Sequence, residues 1–136
     1  MVAVTIESAG NFQEVLGLEF SEASGDKVVV TCPVKSHLHQ PYGILHGGVY
    51  CSIVETAASV GGAMWLGDKG YVVGVVNTTN FIRATREGML TATATPLQRG
   101  RTQQLWQVEI VDDEGRLAAH GQVRLANITD ADRLGR

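Results

Sequence analysis

Residues 40–66 decide the fold, and they read Q-P-Y-G-I-L-H-G-G-V-Y-C-S-I-V-E-T-A-A-S-V-G-G-A-M-W-L. Pro41 and Gly43 predict a turn at the start of this stretch. Gly47 and Gly48 follow, and their lack of a Cβ lets the backbone come close to a neighbouring group. After these glycines nearly every residue is apolar or small, which predicts one long helix that is buried on most sides.

Glu55 is the only charged residue between positions 49 and 66, inside this predicted helix. A carboxylate on a buried helix must be paired, protonated or functional. Ser59 follows four residues later on the same helical face, where it could hydrogen-bond the carboxylate or a bound water. Cys51 precedes Glu55 by four residues on that face, and we interpret it as a packing residue because no activating histidine can be assigned to it.

The composition indicates one globular domain without a nucleic-acid surface. Of the 136 residues, 44% are hydrophobic and 18% charged, and the net charge of −3 includes only scattered basic residues. The two cysteines, Cys32 and Cys51, have neither metal nor redox spacing, which favours a reducing compartment. The sequence shows no signal-peptide pattern and no uninterrupted run of 18 apolar residues, so we expect a cytoplasmic protein without a membrane span.

Motifs for other chemistries are missing from the sequence. His37 and His39 form a weak metal-binding pair without an obvious third ligand, so we interpret them as loop residues. No G-x-S-x-G motif, nucleophile–base–acid triad or nucleotide-binding glycine motif occurs. We therefore expect no metal and no redox cofactor.

The rest of the chain predicts a sheet. Alternating or β-branched segments predict strands at residues 18–24, 27–34, 71–83, 89–96, 102–111 and 117–128, with a short helix at 11–16. Short turns between strands predict antiparallel neighbours. One sheet and one apolar helix predict an α+β domain in which the sheet wraps around the helix. The domain spans residues 1–136, with a core at about 12–128 and a polar C-terminal tail.

The N-terminus of the long helix is a second candidate for chemistry. Its first N–H groups are unpaired and its dipole is positive, so it can polarise a carbonyl or bind an oxyanion. Alternatively, Gly47 and Gly48 only let the helix pack tightly under the sheet. Glu55 lies eight residues beyond Gly47, which is ~12 Å along the helix axis. If both serve one reaction, they come from two antiparallel helices, and a homodimer with two composite sites follows.

The segment Q-P-Y-G-I-L-H-G-G, followed by E-T-A-A-S-V on one helix, resembles the hotdog-fold acyl-CoA thioesterases with a mid-helix catalytic glutamate. That branch includes 4-hydroxybenzoyl-CoA and 1,4-dihydroxy-2-naphthoyl-CoA thioesterases and the phenylacetate-pathway-like enzymes. The similarity runs from about residue 12 to residue 128, and residues 72–88 and 101–117 also resemble that branch. It implies a hotdog fold, hydrolysis of an aryl or other bulky acyl-CoA, and a homotetramer built from dimers.

The resemblance also implies roles for individual residues. Gln40 matches the glutamine that lines the thioester site, and His46 matches the histidine at the helix entrance. Gly47 matches the glycine whose backbone N–H polarises the thioester carbonyl. Glu55 matches the catalytic carboxylate, which acts as nucleophile or as general base, and Ser59 lies where the family positions the attack.

Five further residues match substrate-binding positions of the family. Asn80 matches an asparagine on the following strand, and Phe81 stands where some aromatic-acyl members have a histidine, which leaves the acyl group open. Arg83, Arg86 and Arg101 lie where basic residues could meet CoA phosphates. CoA is part of the substrate, so the resemblance implies no separate cofactor.

Three other functions are alternatives to hydrolysis. A non-catalytic hotdog module that binds or senses acyl-CoA is the main alternative, and a purely structural role is another. A hotdog dehydratase would show an Asp…His motif, which this sequence lacks. Turnover of acyl-CoA, as opposed to binding alone, distinguishes the enzyme from the binding module.

Overall fold

Six strands form a single antiparallel sheet, and one long helix packs against it in this computed structural model, which describes residues 11–129. In chain order the elements are α1 (Asn11–Leu16), β1 (Glu19–Ala23), β2 (Val28–Pro33), α2 (Gly47–Leu66), β3 (Tyr71–Phe81), β4 (Met89–Arg99), β5 (Gln103–Val111) and β6 (Leu117–Ile128). Two short 3-10 helices, Ser36–Leu38 and Gly67–Lys69, flank α2. The predicted α+β architecture with a central helix is confirmed.

The order of strands across the sheet is β1-β2-β4-β5-β6-β3. Short turns join β1 to β2, β4 to β5 and β5 to β6, and these pairs are antiparallel neighbours as predicted. The expectation is wrong for β3 and β4, which residues 82–88 connect but which do not pair. Instead β3 pairs with β6 and β4 with β2. The α2 helix crosses the sheet between β2 and β3, so that β3 lies at the edge opposite β1. Strands β1 and β3 are therefore the two edge strands of the described sheet.

The α2 helix begins at Gly47, two residues earlier than the apolar pattern predicts, because His46 caps it. The His46 Nδ1 accepts a hydrogen bond from the Gly48 backbone N–H at 2.8 Å. The helix contacts all six strands. Its sheet-facing residues are buried: Val49, Tyr50, Ile53, Val54, Ala57, Ala58, Val60, Gly61, Gly62 and Leu66.

Small residues in the second half of α2 let the helix lie close to the sheet. A Cβ on Gly61 would stand 2.6 Å from the ring of Trp106, which is fully buried. The Trp106 Nε1 donates to Gln104 Oε1 at 2.8 Å, and Gln104 Nε2 donates to the Gly62 carbonyl at 3.2 Å. The buried polar groups of this layer are therefore hydrogen-bonded, as burial requires.

Five of the six strands differ by one to three residues at an end from the boundaries that the sequence predicts, and β6 matches them. The β4 strand continues three residues beyond Pro96 to Arg99, because a bulge between Pro96 and Gln98 accommodates the missing proline donor. Pro33 marks the end of β2, which lies inside the sheet between β1 and β4. Apart from Thr129, the predicted polar tail lies outside the described residues, as do the first ten residues.

The α2 helix with its following turn (Gly47–Lys69) is long and apolar enough to cross a bilayer by length and composition. However, more than half of its 18-residue apolar window is buried inside the fold. Core helices of globular domains pass the same test, so this helix is weak evidence for a membrane span.

Candidate active site

Glu55 lies half-buried on α2, beside strand β3. Its Oε1 accepts a hydrogen bond from Asn77 Nδ2 at 3.1 Å, while Ser59 Oγ lies 3.5 Å from Oε2. A Cβ on Gly74 of β3 would stand 1.9 Å from Oε2. The glycine therefore makes the space that the carboxylate occupies, and the structure brings Glu55 and Ser59 together as their spacing predicts.

Asn77 is the contact that sequence reasoning missed. Its Nδ2 also donates to the Cys51 carbonyl at 3.1 Å, and Thr79 Oγ1 donates to Asn77 Oδ1 at 2.7 Å. Asn77, Thr79 and Phe81 alternate along β3, so they share the face of the strand that meets α2. The period of two places Asn77 on the same face as Phe81, but only the contact of Phe81 with Gly47 shows that this face meets α2.

Asn80 takes the opposite face of β3 because it falls between Thr79 and Phe81 in that alternation. Its partner in the register with β6 is His120. Within one protomer the structure therefore does not bring Asn80 to Glu55, although both were predicted as site residues.

The N-terminus of α2 lies against an aromatic ring. A Cβ on Gly47 would stand 2.5 Å from the Phe81 ring, which in turn stacks on Tyr50 with ring centroids 5.7 Å apart. Among the hydrogen bonds between described residues, none uses the Gly47 N–H, whereas the Gly48 N–H is bonded to His46. His46 thus acts as the helix cap, and the Gly47 N–H remains able to donate a hydrogen bond to a ligand at this end of the helix.

A cavity of about 270 Å³ opens at this end of the helix. Four of the predicted site residues line it together, namely Gln40, Gly47, Phe81 and Arg83. The remaining lining residues are mostly apolar: Ile44, Leu45, Tyr50, Ile82 and Ala84. The Gln40 Oε1 accepts a hydrogen bond from the Tyr42 backbone N–H, which folds the glutamine into the loop that precedes α2.

Tyr50 anchors the loop that follows β3. Its hydroxyl donates to the Arg83 carbonyl at 3.0 Å and lies 3.1 Å from Thr85 Oγ1. Burial raises the pKa of the Tyr50 hydroxyl above its ordinary value, the hydrogen bond with Thr85 opposes this, and the negative charge of Asp112 adds to it. The hydroxyl therefore stays protonated and keeps Arg83 beside the cavity.

The two other predicted arginines lie apart from the cavity lining. The Arg86 carbonyl accepts from His39 Nε2 at 2.9 Å, and Arg86 lies next to Gly43 in the loop before α2. Arg101 lies in the turn between β4 and β5, where its carbonyl accepts from Asn127 Nδ2 at 3.2 Å. Arg86 is thus near the helix entrance, and Arg101 belongs to the opposite end of the sheet.

Within one protomer the helix end and the carboxylate are separate. Glu55 and Gly47 both belong to the continuous α2 helix, so ~12 Å of axial rise lies between them. His37 Nε2 donates to the Val15 carbonyl at 2.9 Å, and the residue lies in the short 3-10 helix Ser36–Leu38 within the connection that the sequence predicts as a loop. Within residues 11–129, no cluster of three or more His, Cys, Asp or Glu side chains could hold a metal ion.

Known proteins similar to this chain identify its family and share its fold. The family described as "Thioesterase superfamily" matches residues 42–119. The structure of S. sahachiroi AziG is 50% identical, with a TM-score of 0.87, covering 89% of this chain and 98% of that chain. The structure of thioesterase HI1161 from Haemophilus influenzae is 33% identical, with a TM-score of 0.87, covering 96% of this chain and 95% of that chain. The 1,4-dihydroxy-2-naphthoyl-CoA hydrolase of Escherichia coli (strain K12) is 34% identical over 124 residues, 91% of each chain. The family match over more than half of the chain and these relatives show that this chain belongs to the thioesterase superfamily, with the hotdog fold of one long helix packed against a six-stranded antiparallel sheet.

Proposed function

We propose that this thioesterase hydrolyses an acyl-CoA to the free acid and CoA at a site that two protomers share. The observation that carries the proposal is the state of the two reactive groups. Glu55 is a half-buried carboxylate that accepts a hydrogen bond from Asn77, and Gly47 lines a cavity while its N–H has no protein acceptor among the described residues. These are the two groups that thioester hydrolysis requires.

A homodimer brings these groups together. Strand β3 is an edge strand of the described sheet, so its outer backbone edge can pair with another strand, and Val75 and Val76 on it are each 54% exposed. Pairing of β3 with β3 of a second copy, around a two-fold axis, sets two α2 helices side by side and antiparallel. The Gly47 end of one helix then meets Glu55 of the other. The homotetramer expected from the family would pair two such dimers.

The Gly47 amide acts on the carbonyl oxygen of the thioester. Attack on the thioester carbon develops negative charge on this oxygen, and the positive end of α2 stabilises that charge. One such donor is worth roughly 2.7–4 kcal/mol in the transition state. Gln40, which lines the same cavity, orients the carbonyl or the attacking water.

Glu55 from the partner protomer supplies the attack. As a nucleophile its carboxylate forms an acyl-enzyme anhydride, and as a general base it takes a proton from the attacking water. Ser59, one turn further along the helix, lies beside the same carboxylate and positions the attack. Both routes need an ionised carboxylate at this position, so the loss of the charge stops either one.

The cavity lining favours an aryl or other bulky acyl group. Phe81, Ile82 and Ile44 present apolar surface next to Gly47. Phe81 offers a ring face to an aromatic group and has no hydrogen-bonding atom, which favours acyl groups without a polar substituent at that point. Arg83 and Arg86 would contact the CoA phosphates. Asn80, on the outer face of β3, and Arg101, in the β4–β5 turn of the other protomer, would add further contacts to the CoA.

The test is release of CoA from a panel of aryl- and fatty acyl-CoA thioesters. Glu55→Gln keeps the size and most hydrogen bonds of the side chain, and we expect it to lose most turnover while the dimer remains. Glu109→Gln, the same change on the exposed side of β5, is the matched control and should retain wild-type turnover. Near wild-type turnover in Glu55→Gln would refute the assignment, and tight acyl-CoA binding without any turnover would indicate a sensing module.

A further inference from the structure

Three side chains form a hydrogen-bonded chain that ends on the Glu55 carboxylate. Thr79 Oγ1 donates to Asn77 Oδ1 at 2.7 Å, and Asn77 Nδ2 donates to Glu55 Oε1 at 3.1 Å. The second proton of Nδ2 goes to the backbone carbonyl of Cys51 at 3.1 Å. Asn77 thereby ties the carboxylate both to strand β3 and to the backbone of α2.

The surroundings determine which way the Asn77 amide points. Its Nδ2 side meets two acceptors, the Cys51 carbonyl and the Glu55 carboxylate, neither of which can donate. A flipped amide would place Oδ1 against both acceptors, with repulsion at each. Thr79 is the one partner that can either donate or accept, and in the observed orientation it donates. The network therefore has a single favourable arrangement.

The two oxygens of Glu55 differ in their contacts. Oε1 receives the amide hydrogen bond, whereas among residues 11–129 the one polar partner of Oε2 is Ser59 Oγ at 3.5 Å, the outer limit of a hydrogen bond. Oε2 also lies over Gly74, where the strand has no side chain. Oε2 thus keeps lone pairs that no other described side chain uses.

We propose that Asn77 is the positioning residue of the site: it holds Oε1 of Glu55 and leaves Oε2 as the reacting oxygen. This inference rests on the function proposed above for Glu55. As a nucleophile, Oε2 forms the bond to the thioester carbon, the carbon–sulfur bond breaks, and water later hydrolyses the anhydride. As a base, Oε2 takes a proton from water, whose oxygen bonds to the carbon as the CoA thiolate leaves.

A positioning role makes a specific kinetic prediction. Asn77 acts through Glu55 and not through the substrate, so its loss lowers kcat and leaves KM nearly unchanged. A hydrogen bond to a charged group corresponds to about a tenfold effect or more. Thr79 acts one step further away, through the orientation of the amide, so its loss has a smaller effect in the same direction.

The experiment compares kcat and KM for five variants on the best acyl-CoA substrate of the panel. Asn77→Leu removes the amide at similar size, and Asn77→Asp keeps the shape without the donor. Each should lower kcat at least about tenfold with KM within about twofold. Thr79→Val should lower kcat about threefold, and Thr79→Ser, which restores the hydroxyl, should return it to near the wild-type value. Thr78→Val, on the opposite face of β3, is the matched control and should change neither constant.

Each outcome decides the question. Wild-type kcat in a folded Asn77→Leu enzyme, or a raised KM at unchanged kcat, would overturn the positioning role. If both Asn77 variants fail to fold, the Thr79→Val and Thr79→Ser pair decides, because it leaves Asn77 in place; equal kcat in that pair overturns the proposal. Turnover that survives Glu55→Gln would instead refute the function of Glu55 itself, and that result is obtained separately from the Asn77 series.

Discussion

Gly74 lies directly beneath the Glu55 carboxylate, so that a Cβ at this position would stand 1.9 Å from Oε2. The two residues belong to different elements, β3 and α2, and they meet where β3 carries a bulge between Gly74 and Val76. Strand β3 therefore constrains the position of the carboxylate, as the α2 helix that carries Glu55 does.

The first prediction is that Gly74→Ala lowers kcat by about tenfold to a hundredfold, because displacement of a reacting group by about 1 Å has effects of this size. The colliding atoms are the flexible end of a side chain, so the melting temperature should change little. Thr78→Ala on the same strand controls for the substitution itself. Unchanged kcat in Gly74→Ala would show that the position of the carboxylate above β3 does not matter for turnover.

The elements of this fold could be predicted from the sequence because each has a local signal. The apolar run after Gly48 and the alternation in β5 and β6 identify a buried helix and two half-buried strands. The strand order has no such signal. Only the packing of α2 across the sheet determines that β3 lies beyond β6, and a single sequence does not record this.

The candidate site likewise has one part that the sequence predicts and one part that it does not. The Glu55–Ser59 pair follows from the helical repeat alone. The choice between Asn77 and Asn80 does not, since these residues are three apart in a strand and must lie on opposite faces. The bulge after Gly74 and the contact of Phe81 with Gly47 decide that Asn77 faces α2.

The second prediction concerns the contact between Gly61 and Trp106. A Cβ on Gly61 would stand 2.6 Å from the buried ring, and Gly61→Ala should lower the free energy of unfolding by about 1–3 kcal/mol through overpacking. Alanine is a better helix former than glycine by about 1 kcal/mol, so the overpacking must exceed this gain. Denaturant unfolding measures the difference, with Ala63→Gly as the control for helix propensity. A more stable Gly61→Ala protein would mean that α2 can move away from the sheet at little cost.

The third prediction concerns thiol reactivity. Burial raises the pKa of the Cys32 thiol to about 11, so at pH 8 only about one molecule in a thousand carries the thiolate that reacts. A Cys51→Ser protein should show no thiol that reacts quickly with Ellman's reagent in its native state, and one after denaturation. Because the pKa is raised, the thiolate fraction of Cys32 in the folded protein grows only as the pH rises toward 11. Rapid labelling of native Cys51→Ser at pH 8 would contradict the buried position of Cys32 in β2.

The fourth prediction tests whether the site is shared between protomers. Glu55→Gln removes the carboxylate, and Gly47→Ala brings a Cβ to 2.5 Å from the Phe81 ring and so disturbs the helix end. Each homodimer should have little activity, since both of its sites carry the defect. When the two variants are denatured, mixed and refolded together, half of the dimers are mixed, and one of their two sites then has a normal Gly47 and a normal Glu55. The mixture should recover about a quarter of wild-type activity. Suppose that light scattering shows dimers and mass spectrometry shows mixed dimers, yet no activity returns. Gly47 of one protomer and Glu55 of the other then do not act at one shared site, and pairing of the two β3 strands has no role in catalysis.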